Sequence, residues 1–161
     1  MMRCSMIAVS LALAACSPMG AEAGQPSPTS TAAARHPVSG LAVIPLSVAS
    51  KGGRHTFRVE LARTAQEQAQ GLMFRTVMGA DEGMLFLRNP ADQASFWMRN
   101  TVIPLDLIFI GADRRVLNVA ANAVPYDETP IISAGVAAAV LELNGGRAAE
   151  LGIAAGDAVE W

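Results

Sequence analysis

The chain has 161 residues, 52% of them hydrophobic, with 12 basic and 14 acidic side chains and a net charge of −2 at pH 7; that length suits one core of about 100–150 residues with extensions. Lys51 is the only lysine and no basic run occurs, which excludes the positive footprint that nucleic-acid binding needs. The only cysteines are Cys4 and Cys16 and the only histidines His36 and His55, so thiolate and histidine-rich metal centres are excluded and no cofactor is implied.

The chain opens with MMRCSMIAVSLALAAC, in which one positive charge, Arg3, precedes an apolar run over residues 6–15. A bilayer span takes about 20 apolar residues, so this shorter run reads as a signal peptide over residues 1–15. Leu13-Ala14-Ala15-Cys16 resembles the lipobox of bacterial lipoproteins, in which the cysteine is acylated and begins the mature chain. Ser17 resembles the residue found there in outer-membrane lipoproteins, so the expected location is the cell envelope, at the outer membrane facing the periplasm. With Cys4 removed and Cys16 acylated, the folded part holds no disulfide and no thiol nucleophile. Residues 17–40 are rich in Ser, Pro, Ala, Thr and Gly without an apolar period. Such a composition cannot offset its ordering entropy and predicts, behind the lipidated Cys16, a disordered tether over 16–40. As a flexible coil its 24 residues would reach roughly 27 Å.

A single globular domain is expected over 41–161, where 10 basic and 13 acidic residues remain once Arg3, Arg35 and Glu22 are set aside. Residues 41–49 and 55–62 are short β-favouring runs around a turn at 51–54, and Pro45 places the first at an edge or a bulge. In the second run Thr56, Arg58 and Glu60 alternate with Phe57, Val59 and Leu61, which predicts one solvated face. Thr64 with Glu67 forms a capping box for a short helix, with Ala65, Ala69, Leu72 and Met73 on one face and Gly71 at its end. Further strands are expected over 83–87, 94–98, 105–111, 115–123 and 138–146, and over 158–161 at the end. Gly111 to Arg114 and Ala155 to Asp157 read as turns, and residues 146–153 as a short helix. The fold class is therefore α+β and mainly β: a barrel-like or sandwich-like antiparallel sheet with two short helices.

Several of these segments together resemble one family. Gly71-Leu72-Met73-Phe74-Arg75, Asp81-Glu82-Gly83-Met84-Leu85-Phe86, Ser95-Phe96-Trp97-Met98, Asn100-Thr101 and Ile103-Pro104-Leu105-Asp106 resemble the domain-of-unknown-function family 192. Val140-Leu141-Glu142-Leu143-Asn144, Gly152-Ile153 and Gly156-Asp157 continue the resemblance over nearly all of residues 55–161. It implies a single, mostly β domain, often exported or membrane-anchored, and it implies no activity. Asn144-Gly145-Gly146 departs from the more usual Asn-Ala-Gly of that family.

The stretch SFWMRNTVIPLDLIFI, residues 95–110, sets Asp106 in a strand that is apolar on both faces, so its carboxylate should be buried and partnered. Arg75 or Arg99 is the expected counter-charge, with Asn100 and Thr101 supplying further donors. One reading is a structural Asp that ties down a loop. The other is a recess walled by Trp97 and Met98 in which Arg75, Asn100, Thr101 and Asp106 converge on a small molecule or an envelope protein. A hydrolase acting on an envelope or carbohydrate-like substrate, with Asp106 paired to Glu82 or Glu142 as acid and base, is the rival, and a purely structural interaction module is a third reading. No catalytic residue is assigned, because no spacing demands the acid–base pair and neither Ser95 nor Ser133 has a histidine partner. Asn144-Gly145-Gly146 could present free amides to an anion or simply make a turn and a helix cap. Met73, Met78, Met84 and Met98 lack any paired metal-binding spacing and read as core fillers.

Overall fold

Seven strands form one sheet in the computed structural model, which describes residues 34–161. The expected signal peptide, Cys16 and the expected tether up to residue 33 lie outside the described residues. In chain order the elements are β1 (Val43–Ser50), β2 (Gly53–Ala62), α1 (Ala65–Gln70), β3 (Glu82–Phe96), β4 (Leu105–Ile110), β5 (Val116–Ala123), β6 (Ile131–Asn144), α2 (Arg147–Glu150) and β7 (Ala158–Glu160). The sheet order is β5-β4-β6-β3-β2-β1-β7. Neighbours are antiparallel except β2 and β3, which are parallel because α1 and the segment after it carry the chain back across the sheet. The outermost strands approach one another at one end, where Val116 N–H donates to Asp157 O (2.9 Å) and Val159 N–H to Arg114 O (2.8 Å). The sheet is thus a curled half-barrel, the barrel-like of the two expected forms.

Both faces of the sheet are apolar, and each carries its own core. The inner core includes Leu46, Val48, Phe57, Val59, Ile108, Ile110, Leu141, Leu143 and Val159, drawn from strands at both edges and therefore enclosed by the curl. The outer core includes Leu72, Met84, Phe86, Met98, Leu105, Leu107, Phe109 and Val140. Each large side chain buried here contributes about 1.5–3 kcal/mol through removal from water. β4 and β6 lie in the middle of the sheet and feed both cores by alternation, which is why their sequences are apolar on both faces.

Four local expectations are corrected. Alternation puts Glu60 on the solvated face of β2 with Thr56 and Arg58, yet it is buried, because Arg75 neutralises it. Ala65 and Ala69 do not form a buried face: α1 has no buried residue, and its position is set instead by its Thr64–Glu67 capping box and by Gln68 Nε2 donating to Leu87 O at 2.6 Å. The two strands expected over 83–87 and 94–98 are one long strand, β3, whose polar middle is a bulge between Leu87 and Asp92. Residues 34–40, which by composition belong to the tether, pack on the domain: Arg35 bridges to Ala42, and Ser39 Oγ donates to Glu60 Oε2. A buried carboxylate that needs donors supplies the ordering that the segment's own composition lacks. Pro45 lies outside the three β1 residues that pair with β7, in keeping with its missing N–H.

Candidate functional site

Asp106 is fully buried on β4, as expected, but none of its expected partners reaches it. Its Oδ1 accepts from the backbone N–H of Asn122 (2.8 Å) and Gly146 (2.9 Å), and its Oδ2 from that of Ala148 (2.7 Å). The carboxylate therefore caps α2 from a neighbouring strand, a role no side chain within the helix's own N-terminal turn fills. Gly146 adopts the left-handed conformation at φ +86°, and a Cβ on Gly145 would stand 2.9 Å from Pro104 Cβ. The two glycines let the segment pass close to Pro104, whose carbonyl accepts from Gly145 N–H (2.9 Å), and turn the Gly146 amide onto Asp106. The anion that these amides bind is the protein's own Asp106.

Arg75 lies elsewhere. Its guanidinium holds Glu60 through two bonds, Nη1 to Oε1 at 2.7 Å and Nη2 to Oε2 at 3.1 Å, with both side chains nearly buried. His36 Nδ1 stands 3.6 Å from Glu60 Oε2 and completes the cluster with Ser39. A broad groove of about 1160 Å³ runs past this cluster between residues 35–42, α1 and the 71–77 segment. Its buried polar groups already satisfy one another, so it offers a ligand little that is unpaired. Arg99, the other expected counter-charge, is exposed; it lies 5.5 Å over the Trp97 ring and 3.7 Å from Glu128.

Trp97 and Thr101 do share a cavity. It measures about 420 Å³ and is bounded by Phe86, Phe96 and Trp97, by Gln68 and the 69–73 turn, and by Arg88, Arg99, Thr101 and Glu142. Met98 is not in its wall: it is buried in the outer core, where the chain turns at Arg99-Asn100. Asn100, at φ +53°, secures the facing turn: its Nδ2 donates to Met73 Sδ (3.8 Å) and its carbonyl accepts from Phe74 N–H (2.8 Å). Of the six residues expected to converge, two line the cavity, two brace it, and Arg75 and Asp106 are elsewhere.

The residue that sequence reasoning ranked too low is Glu142. It lies on β6 opposite Met84 and Leu107, so it faces the outer core, whereas Asp106, one residue away in the β4 register, faces the inner one. Glu142 is 5% exposed, and no hydrogen bond or salt bridge reaches its carboxyl group among the described residues. Burial alone pushes its pKa up to about 8. Among the described residues it is the only acidic one in the cavity lining. Its sequence signal was the same as that of Asp106, a lone carboxylate in a run of β-branched and leucine residues.

Among the described residues no group of three or more His, Cys, Asp and Glu side chains is placed to hold a metal ion. The Nε2 of His55 is buried without a partner among the described residues.

The fold recurs in solved relatives. A protein of unknown function from Novosphingobium aromaticivorans DSM 12444 is 67% identical, with a TM-score of 0.79, over 82% of this chain and 94% of that one. A protein from Sinorhizobium meliloti 1021, named a candidate transcription regulator, is 39% identical, with a TM-score of 0.72, over 74% of this chain and 94% of that one. No curated protein matches. The family model of DUF192, described as "Uncharacterized ACR", matches residues 46–161, and the chain therefore belongs to the DUF192 family.

Proposed function

We propose that this protein is a small-ligand-binding module of the cell envelope, with the cavity beside Trp97 as its site and Glu142 as the polar contact on its floor. The observation that carries the reading is a 5%-exposed carboxyl group on a central strand that no side chain or amide among the described residues bonds, lining a cavity of about 420 Å³. Small-molecule sites have this size, and here aromatic side chains share the lining with polar ones that can fix a ligand's orientation. An unsatisfied buried carboxyl group costs stability, and a ligand that satisfies it recovers that cost. The anchoring half of the proposal rests on the lipobox-like Leu13 to Cys16 and on Ser17, and assigns the domain to the outer membrane facing the periplasm.

The enzymatic alternative in its Asp106 form is disfavoured, since three backbone amides already occupy that carboxylate. Glu142 has the raised pKa of a general acid, but the cavity lining supplies no second carboxylate to act with it. The regulatory name of the Sinorhizobium relative finds no support in charge, because residues 41–161 carry a net −3, from 10 basic and 13 acidic side chains.

A thermal-shift screen of small polar and aromatic compounds tests the binding half. Hits should raise the melting temperature of the wild type and lose that effect in Glu142→Gln; hits indifferent to Glu142→Gln and to Trp97→Ala would count against this cavity. For the anchor, Cys16→Ala should move the protein from the membrane to the soluble fraction of cells, and unchanged fractionation would remove lipidation from the proposal.

A further inference from the structure

We propose that the cavity beside Trp97 is an ammonium site, taking a small organic amine whose charged head reaches the Glu142 carboxyl group between Phe86, Phe96 and the Trp97 indole. This inference rests on the binding reading above and specifies its ligand class. Three features of the site converge on it. The single acidic group in the lining is bonded by no other group among the described residues, and a cation is the group that completes it. The walls beside it are aromatic, and aromatic rings attract cations through their quadrupole where water is scarce. One ring already does so here, since Trp97 receives the Arg99 guanidinium at 5.5 Å.

Of the two arginines in the lining, Arg88 is held by Asp92 at 2.6 Å. The half-exposed Arg99 lies over Trp97 and makes only a 3.7 Å contact with Glu128; its charge opposes a second cation near it and places the ammonium head on the Glu142 side. A carboxylate or phosphate that reached the floor would meet another carboxyl group. The proton balance of the proposed event is simple. Free in the cavity near neutral pH, Glu142 is mostly –COOH; when R–NH₃⁺ enters, the carboxyl proton leaves to the buffer and the pair R–NH₃⁺···⁻OOC remains.

Isothermal titration of the full-length chain with n-butylammonium, n-butanol and butyrate, at pH 6, 7 and 8 and in two buffers of different ionisation enthalpy, tests the inference. Butylammonium should bind best. Its affinity should rise about tenfold from pH 6 to 7, and by less from pH 7 to 8 as the free carboxyl group itself ionises. Nearly one proton per bound ligand should appear in the buffer at the two lower pH values. Glu142→Gln should abolish both the pH dependence and the proton release; the proton count on the wild type stands whether or not that variant folds. Butanol or butyrate binding as well as butylammonium, or butylammonium binding without proton release, would overturn the ammonium inference while leaving a ligand-binding cavity. Silence from all three would overturn both the ammonium class and the cavity reading.

Discussion

Replacing Glu142 by Gln removes an ionisable group whose charged form burial disfavours, and the consequence for stability follows from the shift. In the unfolded chain the carboxyl group titrates at its ordinary value of 4.5, and in the fold burial holds it near 8. Below pH 4.5 both states are protonated and the group makes no pH-dependent difference. Between 4.5 and 8 the unfolded chain loses its proton while the fold keeps it, so folding stability falls by about 1.4 kcal/mol for each pH unit. The deficit is about 3 kcal/mol at pH 7 and levels off at about 5 kcal/mol above pH 8. The carboxamide of the variant does not titrate, and any fixed cost of burying it is the same at every pH. The excess stability of the variant over the wild type should therefore grow by about 3–4 kcal/mol from pH 5 to pH 8. Urea unfolding followed by the fluorescence of Trp97 and Trp161 at pH 5, 6, 7 and 8 measures the difference, in which all other titrating groups cancel. Parallel stability curves for the two proteins would refute the reasoning, because they would mean that the carboxyl group is hydrated in the fold.

Two further substitutions address the other buried carboxylates. Asp106→Asn puts an N–H₂ group against at least one of the amides of Asn122, Gly146 and Ala148 and should cost about 2–4 kcal/mol in urea unfolding; a cost under about 0.5 kcal/mol would contradict the assigned capping role. Arg75→Met strands Glu60 in a nearly dry position and should cost about 3–5 kcal/mol, much of it recovered in the Glu60→Leu/Arg75→Met double variant. In that double variant Ser39 and His36 lose their acceptor, so amide hydrogen exchange over residues 34–41 should accelerate while β4 and β6 stay protected; unchanged protection of 34–41 would mean that other contacts hold the segment.

Local signals in the sequence were sufficient for most elements. The Thr64–Glu67 pair set the start of α1, Lys51-Gly52 the first hairpin, and the double-sided apolar run of residues 105–110 the buried, central position of β4. What the sequence could not supply was partners across the fold. Glu60 looked solvent-facing because alternation describes one strand, whereas its burial depends on Arg75, which arrives from the far side of α1. Likewise the charged residues near Asp106 in sequence are not its partners, and the donors it uses come from β5 and from the start of α2.

The contrast between Asp106 and Glu142 carries the functional argument one step further. Both are carboxylates inside apolar strands, both are buried, and they sit one residue apart across the β4–β6 pairing, so sequence context cannot rank them. Sheet geometry does. A shift of one residue changes the face, and the two faces differ in what they offer. On the inner face the amides of Gly146 and Ala148 at the start of α2 and of Asn122 on β5 satisfy Asp106, and a group satisfied by its own fold has nothing left for a ligand. On the outer face the neighbours of Glu142 are Met84, Leu107 and Phe86, which offer no hydrogen, and a cavity lies open above it. A fold that buries a carboxyl group on a central strand, with no bond to it from any described residue, disfavours its charged form at a cost that replacement by Leu or Gln would relieve. Its presence beside an aromatic-walled opening is therefore the feature of this molecule that points to binding.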